Sequence, residues 1–153
     1  MSVEQYNTLD FLFYVKNLSQ QKPFRAYMAS SYDREGGNYD WGNYDLIQGE
    51  EATVLDVEGP GMITRLWSAN PDGNIKIFLD GNDSPVIDES LDSLLRRLPM
   101  QSGHGYLKRG SAEFEAVIKS EDPLGMTCYC LIPFQNGCKV IFYPVPNIYY
   151  QIN

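Results

Sequence analysis

The chain has 153 residues, 43% of them hydrophobic and 13% aromatic, and it carries a formal net charge of −8. This length is typical of one domain with a real hydrophobic core. The negative charge and the lack of a Lys/Arg cluster argue against a nucleic-acid partner, and no apolar run is long enough to span a bilayer.

The first residues and the cysteines indicate the compartment. Residues 1–5 lack the basic and apolar regions of a secretory signal, so we expect a cytoplasmic protein without a membrane partner. Cys128, Cys130 and Cys138 have no further Cys or His at zinc-ligand spacing, which predicts reduced thiols. We therefore expect no metal site and no cofactor.

The N-terminal segment reads as a short helix. Thr8 can cap its start, and apolar residues follow at three- and four-residue steps up to Leu18, although a strand remains an alternative. Pro23 ends this pattern. The predicted domain organisation is a helical extension over residues 1–23 followed by one β domain over residues 24–153.

The rest of the chain is dominated by short strand patterns. Residues 52–58 and 62–67 flank Gly59-Pro60-Gly61 and are predicted to pair as a hairpin. In the first of these strands, we expect Val54 and Asp56 on one face and Leu55 and Val57 on the other. Further strands are predicted at residues 75–80, 85–87 (at a sheet edge), 113–118, 126–134, 139–143 and 147–152.

The connections complete this pattern. A helix is predicted over residues 88–97, with acids at its start and arginines at its end. Residues 99–111 read as a long loop, and Asn136-Gly137 reads as a hairpin turn. Seven to nine strands without a βαβ rhythm indicate an all-β antiparallel sandwich or barrel with one or two short helices.

The stretch from Ser30 to Trp41 is the densest in specialised side chains. It sets carboxylates, a guanidinium, two tyrosines and an indole around Gly36-Gly37-Asn38, a turn that tolerates positive φ. Convergent polar groups beside aromatic faces suit a small polar ligand such as a sugar. The alternative is an ordinary surface turn. The candidate substrate-binding residues are Tyr32, Asp33, Arg34, Gly37, Asn38, Asp40 and Trp41.

The same stretch carries a family resemblance. Its order S-S-Y-D-R-x-G-G-N-x-D-W resembles the entry motif of the DUF2961 proteins, which include glycoside hydrolase family 172. Other blocks similar to that family follow in the same order. They are residues 52–67, 78–85, 128–134 and 147–152.

The resemblance implies a single jelly-roll β-sandwich over residues 24–153. Family members act on α-D-fructofuranosyl or arabinofuranosyl linkages with retention, contain two consecutive jelly rolls, and assemble as trimers or hexamers. Their double jelly roll is also shared with a lineage of viral capsid proteins. The chain resembles only the first jelly roll, whereas the family's two catalytic glutamates belong to the second.

The resemblance therefore assigns no catalytic residue here. We expect a homo-trimer or homo-hexamer in which copies replace the second jelly roll, with a possible carbohydrate ligand at a subunit interface. The alternative is a non-catalytic structural or assembly protein. A retaining pair of carboxylates, about 5 Å apart, could be drawn from several acids, so the catalytic residues stay unknown. These acids are Asp33, Glu35, Asp40, Asp45, Asp56 and Glu58.

Overall fold

The computed structural model describes residues 23–97, 100–102, 126–129 and 131–153. Within these ranges the chain forms twelve strands and one helix. The strands are β1 (Ala29–Ser30), β2 (Leu46–Gln48), β3 (Glu51–Glu58), β4 (Gly61–Ile63), β5 (Leu66–Ser68), β6 (Asn74–Leu79), β7 (Ile87–Ser90), β8 (Met100–Ser102), β9 (Met126–Cys128), β10 (Ile132–Phe134), β11 (Gly137–Tyr143) and β12 (Tyr150–Ile152); the helix is α1 (Leu91–Arg97).

Two five-stranded antiparallel sheets contain most of these strands. The first sheet has the order β1-β12-β5-β9-β8, and the second has the order β2-β3-β11-β6-β7. If β1, β3, β5, β6, β7, β9, β11 and β12 are counted as strands one to eight, the sheets read 1-8-3-6 and 2-7-4-5. That is the strand order of a jelly roll, so the predicted fold is confirmed.

A long antiparallel ribbon connects the two sheets. β3 pairs with β11, β4 with β10, and β5 with β9, so three successive strands between residues 51 and 68 have their partners, in reverse order, between residues 126 and 143. The ribbon starts in the second sheet and ends in the first. Its bend lies at Gly59 and Pro60, where the Gly59 amide donates to the Asn136 carbonyl at 2.7 Å.

The core lies between the sheets and is closed at one end by α1. Leu91, Leu94 and Leu95 of α1 are buried against strands of both sheets. Ser90 caps the helix, because its Oγ accepts the Ser93 amide at 3.0 Å. The predicted packing of these helix leucines is thus confirmed, and Leu98 lies outside the described residues.

Two sequence-predicted strands are each broken into two. Residues 62–67 divide into β4 and β5, and residues 126–134 divide into β9 and β10, with the halves in different sheets. The predicted hairpin between residues 52–58 and 62–67 is wrong, since β4 pairs with β10 instead. Local alternation cannot reveal a strand that leaves one sheet for another, because the pattern continues across the break.

The predicted facing within β3 is confirmed for Leu55 and Val57, which share the core side, and is wrong for Val54, which does not share a face with Asp56. The pairing register shifts opposite Val140 and Ile141, which makes a β-bulge at Val54. An extra residue reverses the alternation, so Val54, Leu55 and Val57 all contact the core while Asp56 is exposed.

Two smaller corrections concern element boundaries. Asp88-Glu89-Ser90 belong to edge strand β7, and the helix begins at Leu91. The predicted hairpin turn at Asn136-Gly137 is wrong, because β10 and β11 on either side of it pair with other strands and not with each other. The predicted loop at residues 99–111 contains β8, whereas the predicted helix ending at Leu18 and the strand at residues 113–118 lie outside the described residues.

Candidate functional site

The candidate loop, residues 31–45, connects β1 to β2 and is held on β12. The Ser31 amide donates to the Tyr150 carbonyl at 3.2 Å, and the Tyr150 amide donates to Ser31 Oγ at 3.0 Å. Further along the loop, the Gly42 amide donates to the Ile148 carbonyl at 2.9 Å. The motif is therefore tied at Ser31 to β12, and just after Trp41 to the segment before β12, both more than 100 residues away in sequence.

Asp33 shapes the turn from within. Its carboxylate accepts the Glu35 amide at 2.9 Å and the Tyr39 amide at 3.3 Å, so it bridges both sides of the turn. A Cβ at Gly37 would lie 2.5 Å from Asp33 Oδ2, which explains why this position is glycine. A carboxylate engaged in this way is a structural acceptor, as expected for an Asx-type turn.

The base of the loop is closed by two more polar side chains. Asp40 Oδ1 accepts the Asp33 amide at 2.9 Å. The Asn43 side-chain amide donates to the Ser31 carbonyl at 3.0 Å and to the Tyr39 carbonyl at 2.6 Å. The loop is therefore preorganised by its own polar groups, so a ligand would find its shape already set.

Arg34 is the cation of the site. Its Nε and Nη2 both donate to Asp45 Oδ1, at 3.1 and 2.8 Å, and its guanidinium lies 4.3 Å from the centre of the Tyr32 ring. This partner lies outside the Ser30–Trp41 motif, eleven residues after Arg34. The ion pair is solvent-facing, since the Asp45 side chain is 73% exposed, so its contribution to stability is small.

Trp41 lies in an aromatic cluster with Tyr39 and Tyr149. The Trp41 and Tyr149 rings stack with centroids 6.4 Å apart, and Tyr39 meets Trp41 edge-on at 5.6 Å. Tyr39 is 61% exposed and Tyr149 is 39% exposed, while Trp41 is half-buried. We call these three side chains the Trp41 cluster; it presents aromatic surface to solvent from a well-fixed loop.

A second aromatic group supports the loop from below. Tyr44 and Tyr150 stack with centroids 5.5 Å apart, and Phe142 meets both rings edge-on. The Tyr44 hydroxyl donates to the Pro146 carbonyl, and the Tyr150 hydroxyl donates to the Asn43 carbonyl at 3.3 Å. The loop is thus attached to the core through two tyrosines.

These two tyrosines predict that the stability of the fold decreases steeply at alkaline pH. Burial raises the pKa of Tyr150 to about 12, even though the nearby Arg34 lowers it, and burial also raises the pKa of Tyr44. Because the folded pKa exceeds the unfolded value near 10, their contribution is intact below pH 10 and is lost as the pH rises from 10 through 12.

We expect Tyr150 alone to lower the free energy of unfolding by about 2 kcal/mol over that range. The measurement is urea denaturation at a series of alkaline pH values, with Tyr150→Phe as the variant. The variant should show a shallower loss of stability above pH 10. An equal slope in both proteins would contradict the assignment.

The structure does not bring the seven predicted site residues together in one place. Tyr32 packs with Arg34, whereas Trp41 packs with Tyr39 and Tyr149, so the two aromatic candidates belong to different clusters. Asp33 and Asp40 lie inside the loop, and Gly37 and Asn38 are exposed at its tip.

Sequence reasoning missed two contributors to the site. Asp45 follows Arg34 by eleven residues, without a spacing that predicts their contact. Tyr149 comes from the segment just before β12, and only the fold brings it to Trp41. The Tyr149-Tyr150 pair within the family-like block at residues 147–152 was the one available signal.

Two concavities lie away from this loop. One, of about 480 Å³, is lined by acids that include Asp56, Glu58 and Asp80. The other, of about 250 Å³, is mostly apolar and is bordered by Phe24, Tyr27 and other residues. The exposed loop is the stronger candidate, because three aromatic side chains pack together on it, whereas the larger concavity has several acids in its lining and the smaller one is mostly apolar.

Asp80 in the larger concavity has a structural role. It adopts φ +59°, and its Oδ1 accepts the Gln135 and Asn136 amides at 2.7 and 2.6 Å. These bonds hold its pKa below the usual range. Among the described residues, no group of His, Cys, Asp and Glu is arranged to hold a metal ion, and no helix is long and apolar enough to cross a membrane.

Comparison with known families decides the relationship of this chain. Residues 22–153 match the family model described as the GH172 first beta-sandwich domain. The chain belongs to this family. No curated protein matches it at a significant level.

The matched family domain includes the candidate loop. The match spans every described strand of the GH172 sandwich, including β12, which holds the loop. The loop and its supporting tyrosines are therefore part of the family domain itself.

Proposed function

We propose that this GH172 sandwich binds furanosyl carbohydrate, of the fructofuranosyl or arabinofuranosyl class, on the Trp41 cluster at a subunit interface. The observation that supports it most is the fixed stacking of Trp41 with Tyr39 and Tyr149, with Trp41 on the same loop as the exposed Arg34–Asp45 pair. The aromatic rings offer an apolar surface to the C–H face of a sugar. The charged pair offers strong hydrogen bonds to its hydroxyls.

The loop supports binding better than it supports hydrolysis. A retaining hydrolase needs two free carboxylates about 5 Å apart, one of them a proton donor. Here Asp33 accepts two backbone amides, Asp40 accepts a third, and Asp45 is paired with Arg34. We therefore assign no catalytic residue, and any hydrolysis in this proposal takes carboxylates from a neighbouring subunit.

The partner in this proposal is another copy of the chain, in a homo-trimer or homo-hexamer. The matched domain is described as the first sandwich of its family, and copies of such a sandwich would be each other's neighbours in an oligomer. Closed rings are the common outcome for such assemblies.

The binding proposal is tested by fluorescence. The chain has two tryptophans, so Trp67→Phe leaves Trp41 as the sole indole reporter. We expect a saturable change of Trp41 emission on titration with methyl fructofuranoside or arabinofuranoside, because the ligand would displace water from the indole. Methyl glucopyranoside serves as the ligand control.

The matched variant is Trp41→Phe, which leaves Trp67 as the reporter. It should show a flat titration and at least about tenfold weaker binding by calorimetry, the loss expected for one stacking contact of about 1.4 kcal/mol. A flat titration for Trp67→Phe, together with no heat of binding for the unmodified protein, would refute the proposal.

A second candidate is a non-catalytic assembly protein. It is favoured by the same engagement of the loop carboxylates, which leaves the turn well ordered without a ligand. Turnover of a p-nitrophenyl furanoside separates the two classes. Assembly without sugar binding or turnover would support this candidate.

A further inference from the structure

The outer face of the first sheet differs from the rest of the surface. On β12, β5 and β9, the residues Tyr150, Ile152, Leu66, Ser68, Met126 and Cys128 are buried, so the alternating residues between them face outward. Gln151, Trp67 and Thr127 form one row across these strands. We call this surface the outer face; its main members are Met28, Arg65, Trp67, Tyr129, Tyr149 and Gln151.

Aromatic side chains cross the outer face diagonally. Trp67 lies opposite Gln151 on β12 and opposite Thr127 on β9. Tyr149 is two residues before Gln151 and Tyr129 is two residues after Thr127, so Tyr149, Trp67 and Tyr129 form a diagonal line across three strands. Strand geometry makes each step roughly 8 Å. Tyr129 is 50% exposed, Tyr149 is 39% exposed, and Met28 at the edge is 56% exposed.

Among the residues that the structure describes, the outer face contains no carboxylate, although the chain has 20 Asp and Glu residues. Its cation within those residues, Arg65, donates to Gln151 Oε1 at 2.7 Å and to Asn153 Oδ1 at 3.1 Å. Described members that are Tyr, Trp, Met and Arg, without Lys, Asp or Glu, have the composition of the centre of a protein interface.

The outward side of the second sheet shows the opposite character. Lys76 pairs with Glu51 at 2.8 Å and lies over the Tyr143 ring, whose hydroxyl donates to Asp88. Lys139 lies 3.8 Å from Asp56. Cross-strand charge pairs of this kind suit contact with water, so the two sides of the sandwich are built for different surroundings.

We propose that the outer face is the self-association surface of this protein and that it packs against the same face of a second copy. Two copies with a net charge of −8 repel each other, so contact is favoured where no carboxylates need be buried. A face that meets itself does so about a two-fold axis. Of the two assemblies expected above, only the hexamer can contain such an axis.

The proposal deepens the proposed function, on which it rests for the placement of the ligand. Tyr149 belongs both to the outer face and to the Trp41 cluster. Association through the outer face would therefore place the Trp41 clusters of two copies at the edge of one interface. The self-association itself can be tested without any sugar.

The size of the face sets the expected affinity. Four strands make the outer face roughly 19 Å wide. A face of this width covers less area than a standard interface, which buries about 800 Å² per partner. We therefore expect a dissociation constant in the micromolar range, about 1 to 100 µM. Added NaCl should strengthen the association, since salt screens the repulsion between copies and the face has no ion pairs to weaken.

Sedimentation velocity over concentrations that bracket this range tests the proposal. The unmodified protein should shift from its chain mass of 17.4 kDa towards twice that mass or a higher even multiple. Tyr129→Glu and Met28→Glu should each weaken association at least tenfold. Val86→Glu is the matched control, because Val86 is 55% exposed beside the second sheet, and it should leave association unchanged.

Near-UV circular dichroism checks that each variant is folded. In a Trp41→Phe background, Trp67 is the only indole, and its emission should shift to the blue on association because it lies at the centre of the face. A monomer at all concentrations would overturn the proposal. Equal disruption by Val86→Glu, or no effect of Tyr129→Glu, would overturn it as well.

The outcomes separate this proposal from the proposed function. A strict monomer whose Trp41 still responds to furanosides refutes the interface and leaves sugar binding standing. A concentration-dependent assembly that ignores furanosides supports the interface and refutes sugar binding.

Discussion

Leu94→Ala should lower the free energy of unfolding by about 2 to 5 kcal/mol, the range for truncating a buried leucine. Leu94 is fully buried where α1 closes one end of the sandwich. The seven-residue helix has little stability of its own, so a cavity beneath it is not compensated by local structure. Urea denaturation followed by tryptophan fluorescence measures the loss.

The matched control is Leu46→Ala. Leu46 lies on edge strand β2 and is 47% exposed, so the same chemical truncation should cost less than about 0.5 kcal/mol. Equal losses for Leu94→Ala and Leu46→Ala would contradict the placement of α1 in the core.

Gly42→Ala should cost about 2 to 5 kcal/mol and should also weaken furanoside binding at the Trp41 cluster. Gly42 has φ +64°, a conformation that costs an L-residue about 1 to 2 kcal/mol. Its added Cβ would lie 2.2 Å from Asn147 Oδ1, so the Asn147 side chain must also move, at a cost of about 1 to 3 kcal/mol. Gly42 adjoins Trp41, so the loop would be displaced where the proposed ligand binds.

Gly36→Ala separates the two costs. Gly36 has φ +77°, but a Cβ there meets nothing within 4 Å, so only the backbone term of about 1 to 2 kcal/mol should appear. In the Gly42→Ala background, Asn147→Ala should restore part of the stability by removing the contact. Indistinguishable unfolding curves for Gly36→Ala and Gly42→Ala would show that the contact with Asn147 has no cost.

Much of the fold could be predicted because its signals are local. Strands β3, β6 and β11 were predicted from alternation and from the turns that bound them, and the helix leucines from their spacing. The edge position was predicted from Pro85, because proline is excluded from central strands, although the strand predicted at residues 85–87 lies at Ile87–Ser90 in the structure. In each case the physical cause acts within a few residues of the sequence.

Partner choice between strands could not be predicted in the same way. The residues from Met62 to Trp67 have one continuous pattern, yet the chain changes sheets between Ile63 and Leu66. The bulge at Val54 reverses the facing of the rest of β3, which depends on the partner strand β11. Such features depend on long-range pairing, which leaves no periodic signal.

The candidate loop shows the same difference between local features, which the sequence predicts, and long-range contacts, which it does not. Its composition indicated a polar turn with aromatic flanks, and the structure shows Asp33 closing that turn under Gly37. The motif could not show that Arg34 pairs with Asp45, nor that Tyr149 stacks on Trp41. As a result, the loop residues chosen as ligand contacts divide into structural acceptors and exposed surface.

By itself, the sequence determined the β class, the family and the chemical character of the Ser30–Trp41 stretch, because residue types and short-range spacing encode these properties. Only the tertiary structure decided which carboxylates are engaged, which aromatic side chains meet, and that the described residues of one sheet face include no acids. Those properties depend on residues brought together from distant parts of the chain. The clearest case is the candidate loop, which the Ser31–Tyr150 hydrogen bonds join to β12.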